Sequence, residues 1–433
     1  IYKGDVIVKK GEIIDEDAYE KMEKLNLVRG GDKIRKTIGL ILSFVIISML
    51  LYWILKKYCR NIMESKAFYP TLITISIINV MYIVFRNEFL IYLLPFAMIP
   101  IILTILGNKI YALTFSFLNM IILSREETWF LVTIAVAIMA IYKAEKMTSR
   151  SDIVKLGIST GVFQGIMALS YGLVNQLEFP LLLGMIVLSV LSGILTGMIS
   201  LALLPYFENS FEILTDIKLL ELSDFSNALL KQLLVTAPGT FHHSIMVGAL
   251  AESGAEAIGV NAIFARVASY YHDIGKMKRP EFFVENQRDG KNIHNTIKPS
   301  LSALIITSHT KDGYIMGKQN KLPKEILDII LCHHGTTLVQ FFYYKSLEKG
   351  EYVLENDFRY SGPKPKSKEA GIIMLADTIE AAVRVSEDKS REGIENLIRY
   401  LIKYKLDDNQ MSDSELTLGE IEKVIQAFLN TLQ

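Results

Sequence analysis

Tyr270-Tyr271-His272-Asp273-Ile274-Gly275-Lys276 sets a histidine beside an aspartate, and the remaining histidines gather around that pair. All seven histidines lie between His242 and His334: His242-His243 ahead of the pair, His294 and His309 behind it, then Cys332-His333-His334, with Leu375-Ala376-Asp377 beyond. His309 follows Ile305 and Ile306 by four and three residues, His333 follows Ile329 and Ile330 likewise, and Asp377 has Ile373 and Met374 behind it and Ala381 ahead. Each polar group therefore rides on an apolar helical stripe and points inward. One such histidine alone is as readily a satisfied core residue; the case rests on their company. A buried carboxylate without a partner is costly, and converging imidazoles relieve the cost when they share a cation. Imidazole and carboxylate ligands without thiolates suit Mn, Fe, Zn, Co or Ni rather than Mg or Ca. The set exceeds the needs of one ion, so two metals are the economical reading.

The helix signals around these residues are consistent. Pro238-Gly239-Thr240 opens a helix holding His243, Asn261 starts one ending at His272-Asp273 with Gly275 as its stop, and Pro299-Ser300 starts one holding His309. Pro323-Lys324-Glu325 begins the helix that ends in His333-His334-Gly335, and Ser367-Lys368-Glu369 caps the one carrying Asp377. Every candidate ligand is expected on a helix, and residues 237–433 read as all-α.

Upstream the character changes. Apolar segments run Thr37–Leu55, Tyr69–Phe85, Phe89–Leu106, Ile110–Leu123, Trp129–Tyr142, Ile153–Val174 and Phe179–Tyr206. At about 1.5 Å of rise per residue they read as a polytopic seven-helix transmembrane region over 35–206. The fourth and fifth are short, and a re-entrant hairpin or buried core helices are the alternative; five crossings would still be odd, so the chain ends face opposite sides. Lys56, Lys57, Arg60 and Lys66 follow the first segment and Lys143, Lys146 and Arg150 the fifth, against only Arg86 and Arg125 in the opposite loops. Basic loops belong inside, which puts 207–433 in the cytoplasm and 1–34 outside. Lys33, Arg35 and Lys36 disagree, and an exported domain ahead of the first span would override them. Residues 1–34 are too few to bury a core and read as the end of a truncated extracellular domain, the chain starting at Ile1.

Gly157, Gly161 and Gly165 recur every four residues, and Ser192, Gly193 and Gly197 cluster in the last segment, a pattern for close helix packing in lipid. Gln164 and Asn79 are expected as interhelical hydrogen-bond partners, and no charge lies deep in a segment, which argues against an ion pump. Phe207 to Leu234 is amphipathic and reads as a connecting helix over 207–236. The 433 residues are 51% hydrophobic with zero formal net charge, so nothing points to a nucleic acid polymer as partner. Cys59 and Cys332 read as reduced thiols.

An isolated His, an adjacent His-Asp and a distant Asp resemble the signature of HD-domain phosphohydrolases, and His309 with His333-His334 resembles the two-metal branch acting on cyclic dinucleotides. Ala237-Pro238-Gly239-Thr240-Phe241-His242-His243-Ser244, the stretch from Pro299 to His309, and Phe358-Arg359-Tyr360-Ser361-Gly362-Pro363-Lys364-Pro365 extend the likeness. With seven apolar segments in front, the whole chain is similar to the seven-transmembrane HD family, whose characterised members are cyclic-di-AMP phosphodiesterases of the bacterial cell (inner) membrane.

The resemblance implies one metal held by His243, His272, Asp273 and Asp377, a second by Asp273, His309, His333 and His334, with Asp273 as the bridge and manganese or iron as the ions. It places the ligand at His243 rather than His242; His294, in a loop-like polar stretch, reads as a surface residue. Lys276, a turn after His272, could reach a phosphate; Arg384, seven residues after Asp377, is a second phosphate candidate, and Tyr360 with Arg359 could stack on a base. The implied reaction opens cyclic di-AMP to pApA; cyclic di-GMP, another nucleotide, or a receptor that binds without turnover are the alternatives. A homodimer and an unknown extracellular ligand stay open as partners beside the lipid bilayer.

Overall fold

The structure, a computed structural model, describes residues 6–25, 30–84, 90–123, 127–287 and 292–433, and among them the regular elements are all helical. In chain order they are α1 (Glu16–Lys24), α2 (Gly30–Tyr58), α3 (Arg60–Met63), α4 (Phe68–Val84), α5 (Met98–Leu106), α6 (Lys109–Leu123), α7 (Glu127–Ala144), α8 (Arg150–Val174), α9 (Phe179–Phe211), α10 (Asp216–Leu222), α11 (Ala228–Thr236), α12 (Pro238–Ile258), α13 (Ala262–Tyr271), α14 (Pro299–Gln319), α15 (Lys324–Cys332), α16 (Gln340–Glu348), α17 (Lys368–Val385), α18 (Arg391–Asp407) and α19 (Leu418–Thr431). They form two units, Ile1–Glu145 with Ser159–Thr196, and Lys146–Ile158 with Gly197–Gln433.

Among the described residues three helices are long and apolar enough to cross a membrane, Thr37–Tyr58, Arg150–Val174 and Phe179–Phe211. The other expected spans fall on shorter apolar helices, Phe68–Val84, Leu90–Leu106, Lys109–Ile121 and Trp129–Ala144, so three of the seven expected crossings rest on helices of spanning length. The third segment breaks after a 3-10 turn at Leu90–Leu93, because Pro95 lacks an N–H and disfavours helical backbone before it. Arg86 and Arg125 lie outside the described residues, as do the segment ends at Phe85 and Phe89.

The small residues act as expected: a Cβ on Gly161 would come within 2.6 Å of Val190 O and 2.9 Å of Gly193 Cα, so α8 and α9 meet backbone to backbone. The two amides do not. Asn79 Nδ2 donates to Ile75 O of its own helix at 2.9 Å, the short side chain reaching back one turn, and Gln164 Nε2 is buried without a partner. Ser192 Oγ makes the long-range bond instead, to Leu94 O at 2.5 Å.

The core of the second unit joins Val247 and Leu250 of α12, Val267 and Ala268 of α13, Ile326 and Ile330 of α15, Ile398 of α18 and Phe428 of α19 around α17. Ile372, Ile373, Met374, Leu375 and Ala376 of α17 are all buried, so this helix is enclosed on every side where Asp377 follows. Each large side chain so buried contributes roughly 1.5–3 kcal/mol, enough together to hold a costly carboxylate inside.

The expected single connecting helix is three pieces. α9 stops at Phe211, with Glu212 at φ 53°; Thr215 caps α10 by accepting from Lys218 N, and Asn227 caps α11 by accepting from Leu229 N. Caps in mid-stretch offer the backbone N–H groups a local side-chain acceptor, which ends one helix and starts the next.

Candidate metal centre

His243, His309 and Asp377 project from within α12, α14 and α17. His272 and Asp273 follow the end of α13, and His333 and His334 follow α15, so four candidates sit at helix ends, where the sequence placed them. The reason is geometric: at 3.6 residues per turn, neighbours on a helix point about 100° apart, and two can face one centre only where the helix stops. Gly275 does not simply end α13, for a Cβ there would lie 1.9 Å from His309 O. Only glycine lets the 3-10 turn Ile274–Lys278 press against α14 and bring Asp273 to His309.

Two groups result, His243 with His272, Asp273 and Asp377, and Asp273 with His309, His333 and His334, the ligand atoms of each lying within 4.8 Å of one another. Asp273 belongs to both: Oδ2 is 3.2 Å from His272 Nε2 and 3.5 Å from His243 Nε2, while Oδ1 is 3.2 Å from His309 Nε2 and 3.6 Å from His333 Nε2. Asp377 Oδ1 stands 3.0 Å from His243 Nε2, and Oδ2 stands 3.4 Å from His334 Nδ1.

Three rings are aimed by their own helices. His272 Nδ1 lies 2.6 Å from Ser269 O, His309 Nδ1 2.6 Å from Ile306 O and His333 Nδ1 2.9 Å from Ile330 O, which assigns the proton to Nδ1 and turns Nε2 inward. His243 differs, for its Nδ1 meets the carboxylate of buried Glu380, which Arg384 touches at 3.4 Å. Glu380 went unnoticed in the sequence, although its place three residues after Asp377 on one helix was the available signal.

These residues fit divalent transition metals. His272 Nε2 and Asp273 Oδ1 are buried without a well-directed hydrogen bond, and Asp273 Oδ2 has only the Lys276 ion pair, a state that a shared cation relieves. Burial opposes charge on His272, yet Asp273 and Asp377 outweigh it and raise this imidazole to about 10, a pull toward positive charge at the first group. At the second, burial and the neighbouring His272 and His309 hold His333 down at about 4, a neutral ring ready to ligate.

Lys276 is drawn in as well, its Nζ 2.7 Å from Asp273 Oδ2 and 2.9 Å from Glu285 Oε1; burial disfavours its charge, and the two carboxylates restore and raise it. Glu285 also accepts from Thr240 Oγ1 at 3.1 Å, tying the start of α12 to the Lys276 turn. Tyr360 is buried with its ring 4.3 Å from that of His334, tilted by 32°, so this face is covered by a candidate ligand and not offered to a base. Arg359 is engaged elsewhere, with Nη2 3.0 Å from Asp408 Oδ1, Nη1 donating to Thr336 O at 2.8 Å and Nε to Glu355 at 2.8 Å, which corrects the expected stacking role. Arg384 stands behind Glu380 rather than at the ligands. His242 is exposed one residue from His243, and His294, expected on the surface, is buried between Phe282 and Phe342 with Nε2 2.7 Å from Phe282 O.

Residues 34–215 match the family described as 7TM receptor with intracellular HD hydrolase, and residues 240–382 match the HD domain. The chain is 35% identical over 455 residues to the cyclic-di-AMP phosphodiesterase PgpH of Bacillus subtilis (strain 168) and 34% identical over 450 residues to that of Listeria monocytogenes serotype 1/2a, in each case along 100% of this chain. It spans 64% and 62% of the length of these relatives. A crystal structure of the L. monocytogenes PgpH HD domain in complex with cyclic di-AMP is 46% identical, covering 48% of this chain and 98% of that one, with a TM-score of 0.47. Residues 34–215 thus belong to the family of 7TM receptors with an intracellular HD hydrolase, and residues 240–382 to the HD domain family.

Proposed function

We propose that this chain is a membrane-bound, two-metal phosphodiesterase that opens cyclic di-AMP to pApA. The observation that carries the proposal is the pair of four-ligand groups sharing Asp273, each with its ligand atoms within 4.8 Å. His243, His272, Asp273 and Asp377 hold one ion and Asp273, His309, His333 and His334 the other, manganese or iron suiting this donor set. Two ions so held supply Lewis-acid stabilisation of the phosphoryl oxygens and an acidified water as nucleophile. Asp273 fixes the spacing of the two groups, and the backbone carbonyls behind His272, His309 and His333 fix their rings. Lys276, kept charged by Asp273 and Glu285, offers donors to a phosphate oxygen at the centre. Tyr360 keeps the His334 ring turned to Asp377.

The choice of adenine rests on the likeness to relatives named for cyclic di-AMP, since nothing in the ligand set selects a base. In the same reading the apolar region 35–206 crosses a bacterial inner membrane seven times, 207–236 connects, 237–433 is the cytoplasmic HD domain, and 1–34 lies outside and carries the response to an outer ligand. The basic residues Lys56, Lys57, Lys143, Lys146 and Arg150 support that sidedness.

The test is turnover by the full chain in detergent, stripped and reloaded with manganese or iron, with cyclic di-AMP and cyclic di-GMP followed separately by chromatography. Appearance of pApA, abolished by a chelator, is expected. Binding without product at two ions per chain would sink the enzyme reading and leave a receptor.

A further inference from the structure

α10 is a helix of seven residues, Asp216–Leu222. A helix this short does not hold itself together in water, so its position is set by what touches it. On one side it lies along α13 and is fastened at both ends. Asp216 Oδ1 accepts from Asn261 Nδ2 at 3.2 Å, and Asn261 is the residue whose side chain caps α13 through Phe264 N. At the other end the hydroxyl of Tyr271, wholly buried, donates to Leu222 O at 2.6 Å. Tyr271 is the last residue of α13, and His272 and Asp273 follow it.

On its other side α10 is tied to the ends of the long apolar helices α8 and α9. Arg150, the first residue of α8, reaches Glu221 of α10 through Nε at 2.6 Å and Nη2 at 3.1 Å, and Glu208 near the end of α9 through Nη2 at 2.7 Å. Glu208 is buried and also accepts from Thr215, the cap of α10. Its carboxylate therefore stays inside only while Arg150 faces it. A fork donor serving two acids on two elements fixes direction as well as charge, which a lysine does not reproduce.

We infer that α10 is a splint through which the ends of α8 and α9 set the position of Asp273, with Arg150 and Tyr271 as its positioning residues. Asp273 must present one oxygen to each ligand group, and a displacement of even about 1 Å at such a centre is costly. A shift of α8 against α9 moves α10 through Arg150, and α10 moves the end of α13 through Tyr271. This rests on the metal-centre reading above and adds its regulation by the apolar helices.

The experiment is a double-mutant cycle on the full chain in detergent, with Arg150→Gln, Tyr271→Phe and the two combined. The readouts are manganese affinity by calorimetry, cyclic di-AMP turnover at saturating manganese, and melting temperature. Each single change is expected to weaken manganese binding by about tenfold, and the combination to be no worse than Tyr271→Phe alone, because both cut one connection. Glu221→Gln, at a half-exposed residue, should act in the same direction as Arg150→Gln and serves if that variant does not fold. Independent, multiplying effects of Arg150→Gln and Tyr271→Phe would overturn the splint, as would a Tyr271→Phe protein with unchanged manganese affinity. Should the parent chain bind manganese yet turn over no cyclic di-AMP, the proposed reaction fails while the affinity cycle still decides the splint.

Discussion

His243, His272 and Asp377 meet Asp273 on one side of the centre, and His309, His333 and His334 meet it on the other, yet only the first set has a ring backed by a carboxylate. Behind His243 stands the buried carboxylate of Glu380. His309 and His333 lean on backbone carbonyls, and the loop after His334 is met by a buried cation, Lys405, whose Nζ donates to Thr337 Oγ1 at 2.9 Å. Negative charge behind an imidazole raises its basicity and strengthens it as a ligand. The first group should therefore hold its ion more tightly than the second, a difference made by residues that touch no metal.

The largest effect should come where the comparison collapses, at the residue both groups share. Asp273→Asn keeps the shape and removes the charge, and is expected to lower turnover by roughly 10³-fold or more and to reduce metal per chain, measured by elemental analysis. Glu380→Gln separates the groups. One of two ions should bind about 10–100-fold more weakly while the other is unmoved, and Glu380→Asp should recover part of the loss, read as two-site calorimetry. Equal weakening of both ions would mean that the charge behind His243 is not local.

Much of this cluster was legible in the sequence because a buried polar group on an amphipathic helix announces itself: the candidate ligands His309 and Asp377 each stand on an apolar stripe that periodicity alone reveals. Glu380 did not stand out, since a glutamate three residues past an aspartate has the same spacing whether it faces solvent or a histidine; only the packing of α12 on α17 decides. Arg359 misled for a related reason. A cation near an aromatic suggests a base platform, but Asp408, far along the chain, claims it. The apolar segments were easy to find and hard to measure, as the break at Pro95 shows: hydropathy marks where a helix is apolar and not where its backbone turns. The connecting stretch was overread as one helix because the caps Thr215 and Asn227 are each unremarkable until their N–H partners are seen.

The second group can be tested alone through Tyr360, whose ring covers His334. Such a stack contributes about 0.5–1.5 kcal/mol beyond the area it buries, so Tyr360→Leu should weaken the second ion by roughly two- to tenfold and leave the first, whereas Tyr360→Phe should stay near the parent. A large loss in Tyr360→Phe would assign a role to the hydroxyl instead.

Lys405 gives the most conditional effect, one read in stability and not in metal binding. Burial pushes it down to about 8 from an ordinary value of 10.5, against the pull of Asp377 and Asp408. With the folded value below the unfolded one, the unfolded chain carries a proton that the folded chain lacks between about pH 8 and 10.5, so stability rises with pH across that window. Below it the amine is charged in both states and its burial is fully unfavourable. At roughly 1.4 kcal/mol for each unit, the shift amounts to about 3–4 kcal/mol, reduced near neutrality by about 1 kcal/mol for the bond to Thr337. Lys405→Met keeps the stem and removes the titration. It should melt higher than the parent at pH 7.5, and the gap should close as pH climbs to 10.5. A gap that stays constant would mean that the amine keeps its proton throughout, held by Asp377 and Asp408 against its burial.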